Sequence, residues 1–143
     1  MKLRRRLRSN LKSESEAYGY TLSLWGSGAL LLQGFEMQAF EVLIFVLGGV
    51  IGFGILALAA FRHLLSDADV QEDEDILTGS MVHILASIGT VLISYGLVTA
   101  GSGVQLEYLA FIVGINTTFS YNILLLVEEV VYNDLYRLES SVV

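Results

Sequence analysis

Apolar residues run along this chain in four long blocks, at about 18–34, 39–61, 81–100 and 107–127, broken by short polar or glycine-bearing stretches. A helix needs about 20 mostly apolar residues to cross the ~30 Å hydrocarbon layer of a bilayer. The second, third and fourth blocks meet that length, and the first, Tyr18 to Gly34, sits at its short end. The pattern predicts an all-α membrane protein with four transmembrane helices. Phe35-Glu36-Met37-Gln38 between the first two blocks and Gly101-Ser102-Gly103 between the last two leave room only for a reversal. Two antiparallel hairpins follow, spanning 18–64 and 81–130, with helices 1 and 2 expected as neighbours and helices 3 and 4 likewise.

Inside the blocks, polar and small residues recur at helical spacing. His83, Ser87, Thr90 and Ser94 form one narrow stripe on helix 3, at i, i+4, i+7 and i+11. Helix 2 aligns Glu41, Gly48, Gly52, Ala59 and His63, and a G-x-x-x-G such as Gly48–Gly52 lets a neighbouring backbone come close. Helix 1 aligns Ser23, Ser27 and Gly34. Helix 4 aligns Glu107, Gly114, Thr118, Asn122 and Glu129, with Asn116 and Ser120 on another side. Unpaired polar groups are costly in hydrocarbon, so these stripes are expected to face one another. Gly48, Gly52, Ser87, Thr90, Ser94 and Gly114 are then packing positions. Helix 4, polar on two sides, is expected at the bundle centre or against a second subunit.

Helices 2 and 4 also match weakly at an offset of 66, through Glu41/Glu107, Leu43/Leu109, Phe45/Phe111, Gly48/Gly114 and Phe53/Phe119. Read as a repeat, this is a tandem pair of hairpins and not the inverted repeat of many transporters.

Charge then orients the bundle. All eight Lys and Arg (Lys2, Arg4, Arg5, Arg6, Arg8, Lys12, Arg62 and Arg137) lie on the side holding the 1–17 segment, the 65–80 loop and the 131–143 tail. The positive-inside rule makes that side cytoplasmic, giving a multi-pass cell-membrane protein with both termini inside. The basic start, MKLRRRLRSNLK, carries Leu3, Leu7 and Leu11 on one side and reads as a topology anchor at anionic headgroups. More membrane segments follow it in place of a cleavage site, so the first helix is expected to be retained. Ser13 and Glu16 fit a capping box that would start a helix just before the membrane. Tyr18 and Tyr20 suit the cytoplasmic interface, with Trp25 deeper. The loop holds six acids between Asp67 and Asp75. It departs from the calcium-loop pattern at Glu72 and Thr78, so a solvated acidic loop is expected.

Composition agrees and narrows the chemistry. The 143 residues are 54% hydrophobic and 16% charged, with a net charge of -7 and a mean hydropathy of +0.63, outside the range of ordinary soluble domains. The low pI near 4.6 and the paucity of lysine resemble the composition of proteins from salt-loving archaea. Without cysteine, disulfides, thiolate catalysis and cysteine metal sites are excluded. No H-E-x-x-H, P-loop, G-x-S-x-G or G-x-G-x-x-G is present. Neither an enzyme, a cofactor, a resident metal nor a nucleic-acid partner is expected. Two readings stand. The first is a protein that works by helix association, as a homo-oligomer or with a membrane partner, through its Gly48/Gly52 face and the second polar side of helix 4. The alternative is a small cation or proton path lined by Glu41, Glu107, His83, His63, Glu129, Thr118 and Asn122.

Overall fold

The computed structural model describes the backbone of residues 2–64 and 79–140 and the side chains of residues 17–59 and 83–131. The acidic stretch from Asp67 to Asp75, the basic N-terminal side chains and the His63 side chain lie outside the described residues.

Four helices make up the described chain: α1 (Lys2–Gly34), α2 (Ala39–Leu64), α3 (Gly79–Ala100) and α4 (Leu106–Ser140). Three of them are long and apolar enough to cross a membrane, over Ala39–Ala59, His83–Ala100 and Leu106–Val131. The chain is a helical transmembrane protein. α1 falls short of the same hydropathy because Thr21, Ser23, Ser27, Gln33 and several glycines dilute its leucines.

Helix ends at the two turns fall where the apolar blocks stop. The other ends do not. α1 runs unbroken from Lys2 through Ser13 and Glu16, so the capping-box sequence starts no helix. α4 likewise continues beyond the apolar block to Ser140. Hydropathy reports where a helix is apolar. The flanking Leu, Arg, Lys and Glu are good helix formers and carry the backbone bonds on regardless. At 1.5 Å per residue, the 33 residues of α1 and 35 of α4 give rods of about 50 Å.

The packing partners differ from those a hairpin implies. α2 packs on α4, and α1 packs on α3 and α4. α1 and α2, though joined by residues 35–38, meet mainly through the Phe45 ring over Gly28 and Leu24 over Gly49. The reason lies in the small faces. A backbone can approach closely only where there is no side chain, and that face of α2 is turned toward α4. A Cβ on Gly48 would run into the Phe111 carbonyl oxygen, and one on Gly114 into the Phe45 carbonyl oxygen. The two contacts are reciprocal: Gly48 and Gly114, like Phe45 and Phe111, are the pairs matched at the offset of 66.

Contact order along each pair gives its direction. Gly48 and Gly52 step up α2 as Phe111 and Ile115 step up α4, so these helices run parallel. α1 and α3 are also parallel, with Gly26 over Val91 and Gly34 over Val98. α3 and α4 are antiparallel, with Gly89 over Leu124 and Gly101 over Leu109. No described residue has a positive φ. Gly101 is therefore required for space against Leu109 and not for backbone conformation.

Candidate functional site: a polar column under an apolar seal

The polar stripes converge on the bundle axis. Ser23, Ser27, Thr90, Ser94, Thr117 and Thr118 are completely buried and Ser87 nearly so. Their hydroxyls tie helices together. The Ser27 hydroxyl donates to Ser94 Oγ at 2.8 Å, joining α1 to α3. Ser87 Oγ lies 3.0 Å from the Gly19 carbonyl of α1 and 2.7 Å from the His83 carbonyl of its own helix. Ser23 donates to the same Gly19 carbonyl at 2.9 Å.

A second chain of bonds crosses three helices. Thr118 Oγ1 of α4 donates to the Gly49 carbonyl of α2 at 3.1 Å, which leaves Tyr20 of α1 to donate to Thr118 Oγ1 at 3.0 Å. The Tyr20 ring also packs against Tyr121, centroid to centroid 5.6 Å. Asn122 Nδ2 donates to the Thr118 carbonyl at 2.8 Å. Thr90 and Thr117 bond back to carbonyls of their own helices, Ala86 and Val113, at 2.7 Å each, the usual resort of a hydroxyl buried in a helix.

Toward the turns the column stops. Beyond Ser27 and Ser94 the bundle is filled by Leu31, Phe45, Val98, Leu109, Ala110 and Val113. Leu24, Leu30, Phe35, Met37, Ile44 and Leu97 pack around them. This apolar cluster stands between the column and the turn end, with Gln33, Tyr95, Thr99 and Ser102 on a groove beside it.

The acids of the conduction reading fall outside the column. Glu41 Oε2 accepts from the Gln38 backbone N–H at 2.8 Å, so its carboxylate caps the start of α2. Glu107 and Glu129 are exposed. His83 is half-buried, one turn before Ser87. Thr118 and Asn122 are spent in interhelical and own-helix bonds. Among the described residues no three His, Asp or Glu side chains come together to hold a metal ion.

The packing residues read from the sequence are brought together: Gly48, Gly52, Gly114, Ser87, Thr90 and Ser94 are all buried. The Gly48/Gly52 face is covered by α4 of the same chain. Three participants escaped the sequence reading. Tyr20 bonds and packs inside the bundle, Tyr121 is its ring partner, and Thr117 is enclosed in α4. Tyr121 falls near Thr118 on the helical wheel, but a tyrosine among Leu and Ile reads as core or belt alike. On the second polar side of α4, Ser120 bonds to Asn116 Oδ1 at 3.0 Å. Asn116 Nδ2 and Glu128 Oε2 are enclosed without a hydrogen-bond partner among the described residues. They stand about 18 Å apart along α4 and share no site.

No known protein family, curated protein or solved structure matches this chain.

Proposed function

We propose that the chain is a non-enzymatic integral membrane protein with four spans, both termini cytoplasmic, that works by helix association as a homo-oligomer or accessory subunit. The observation that carries this reading is the fate of the polar side chains. They close on one another in the half of the bundle away from the turns, and an apolar cluster fills the other half. An apolar constriction of this kind closes a path for ions by dewetting, so conduction would require the bundle to open.

α1 belongs to the membrane part on the same logic. Ser23 and Ser27 are enclosed, while its outer face carries Tyr18, Leu22, Trp25 and Leu32, exposed at 68%, 53%, 76% and 57%. That face is apolar enough for lipid or for another helix, whatever the mean hydropathy of the segment. The reciprocal Gly48/Gly114 crossing supports the tandem-repeat reading, because residues matched in sequence meet as equivalents. With Gly48 and Gly52 engaged by α4, a second copy reaches that face only by taking the place of α4; otherwise association falls to the exposed faces of α1, α2 and α4.

Two measurements test the reading. Reconstituted into liposomes between pH 5 and 8, the protein gives cation and proton flux no higher than empty vesicles. In mild detergent its molar mass exceeds one chain, or it co-purifies with a membrane partner. Flux above the empty vesicles overturns the reading in favour of the cation path. A strictly monomeric chain with no partner overturns the association.

A further inference from the structure

The first helix pair is not a unit by itself. The close contacts that seat α1 and α2 run to α3 and α4: Ser27 to Ser94, Ser87 to the Gly19 carbonyl, Tyr20 to Thr118, and Thr118 to the Gly49 carbonyl. The glycine crossing of α2 on α4 adds backbone contact to these polar bonds. Between α1 and α2 the contacts are of side chains, with Phe45 over Gly28, Leu24 over Gly49 and Leu31 in the same apolar cluster as Phe45. α3 and α4, by contrast, pack on each other.

This division of contacts has a direct meaning for assembly. Everything that holds the α1–α2 pair in place is offered by α3 and α4, and a second copy offers the same surface. The pairs are joined by residues 65–78, a stretch whose extended length reaches at most about 50 Å. A helix with its side chains is about 10–12 Å across, so that reach clears several helix widths. An exchanged arrangement keeps every contact and adds no strain to the helices, the general condition under which exchange of identical elements becomes a low-cost route to dimers. The α2–α4 crossing has the matching character. Its two sides present equivalent residues to each other, as the two sides of a contact between copies do.

We propose that this chain assembles by exchanging helix pairs, α1–α2 of one copy seating on α3–α4 of another through the Gly48/Gly114 crossing and the Ser27–Ser94 bond. This rests on the association reading above and names its partner as a second copy. The balance between closed monomer and exchanged dimer is set by protein density in the membrane against the effective concentration imposed by the 65–78 connection.

The chain lacks cysteine, so the test can use the full-length protein. A Cβ on Gly26 would stand 3.8 Å from Val91 Cβ, the mean separation in disulfides. Two chains, one Gly26→Cys and one Val91→Cys, with tags of different size, are co-expressed and oxidised in native membranes. The expected product is a covalent heterodimer on a non-reducing gel, absent when either chain is expressed alone. Ser27→Cys with Ser94→Cys, whose parent oxygens lie 2.8 Å apart, repeats the readout and guards against a fault peculiar to Gly26. The double variants report folding, since they close a disulfide in cis or in trans.

Disulfides formed only within single chains, with no heterodimer from either pair, overturn exchange. If the protein is then still larger than one chain in detergent, association stands and exchange alone has failed. A failure of both pairs to close any disulfide overturns the α1–α3 contact and the exchange with it.

Discussion

Replacing Gly114 by alanine places one methyl group where α2 and α4 touch. The added Cβ runs into the Phe45 carbonyl oxygen and stands 3.0 Å from the Gly49 nitrogen. Both are backbone atoms of α2, so no rotamer change relieves the overlap, and the helices must move apart by roughly 1 Å to regain ordinary contact. Overpacking of this kind costs about 1–3 kcal/mol. Separation also stretches the Thr118–Gly49 bond from 3.1 Å past useful length, a further loss of about 0.6 kcal/mol for an interhelical bond in a membrane protein. Against this, alanine is better than glycine within a helix by about 0.5–1 kcal/mol. The net expectation is destabilisation of about 1–3 kcal/mol. Gly54→Ala is the control, because nothing lies within 4 Å of its Cβ position and only the helical gain remains.

Titration of the detergent-solubilised protein with SDS measures the effect. Helicity and the fluorescence of Trp25, the sole tryptophan, report the transition. Gly114→Ala should unfold at a lower SDS fraction than the parent, and Gly54→Ala at the same or a higher one. Gly48→Ala should resemble Gly114→Ala, and the double variant should fall short of the sum, since both force the same separation. A Gly114→Ala midpoint at or above the parent, or a Gly54→Ala midpoint equally depressed, refutes the argument that backbone contact governs this crossing.

Three further outcomes are expected. A double-mutant cycle of Tyr20→Phe and Thr118→Val should give a coupling near 0.6 kcal/mol and no more than about 1.7; zero coupling would dissolve the α1–α4 bond. Leu31→Ala, at a completely buried position of the apolar cluster, should cost about 2–5 kcal/mol through the cavity it leaves, and stability unchanged by SDS titration would mean the seal is not packed. A cysteine at Ser102 should react with a membrane-impermeant maleimide added to intact cells, whereas one at Ser9 should react only after lysis; the reverse pattern inverts the proposed orientation.

Much of the architecture was legible in the linear pattern. The apolar blocks end at Gly34 and Ala100 and resume near Ala39 and Leu106, and the helices do the same, because glycine and polar residues at those breaks interrupt burial and backbone pairing together. The narrow stripes of α1 and α3 were legible too, since a buried hydroxyl must find a partner and only the interior supplies one. Helix length at the other end was not. α1 and α4 continue into polar sequence, where hydropathy changes but helix propensity does not.

What the sequence alone determined, then, was the number of helices and the faces each must hide. Those follow from local periodicity and from the cost of exposing polar groups to hydrocarbon. Which hidden face meets which was decided only by tertiary structure. The Gly48/Gly52 face was open, on sequence grounds, to α1, to α4 or to another chain. It pairs with α4 because Gly114 removes the opposing side chain at the same height, and two bare backbones come closer than any other pair of faces allows. That choice spends the glycine face inside the fold and sets an apolar seal over the polar column.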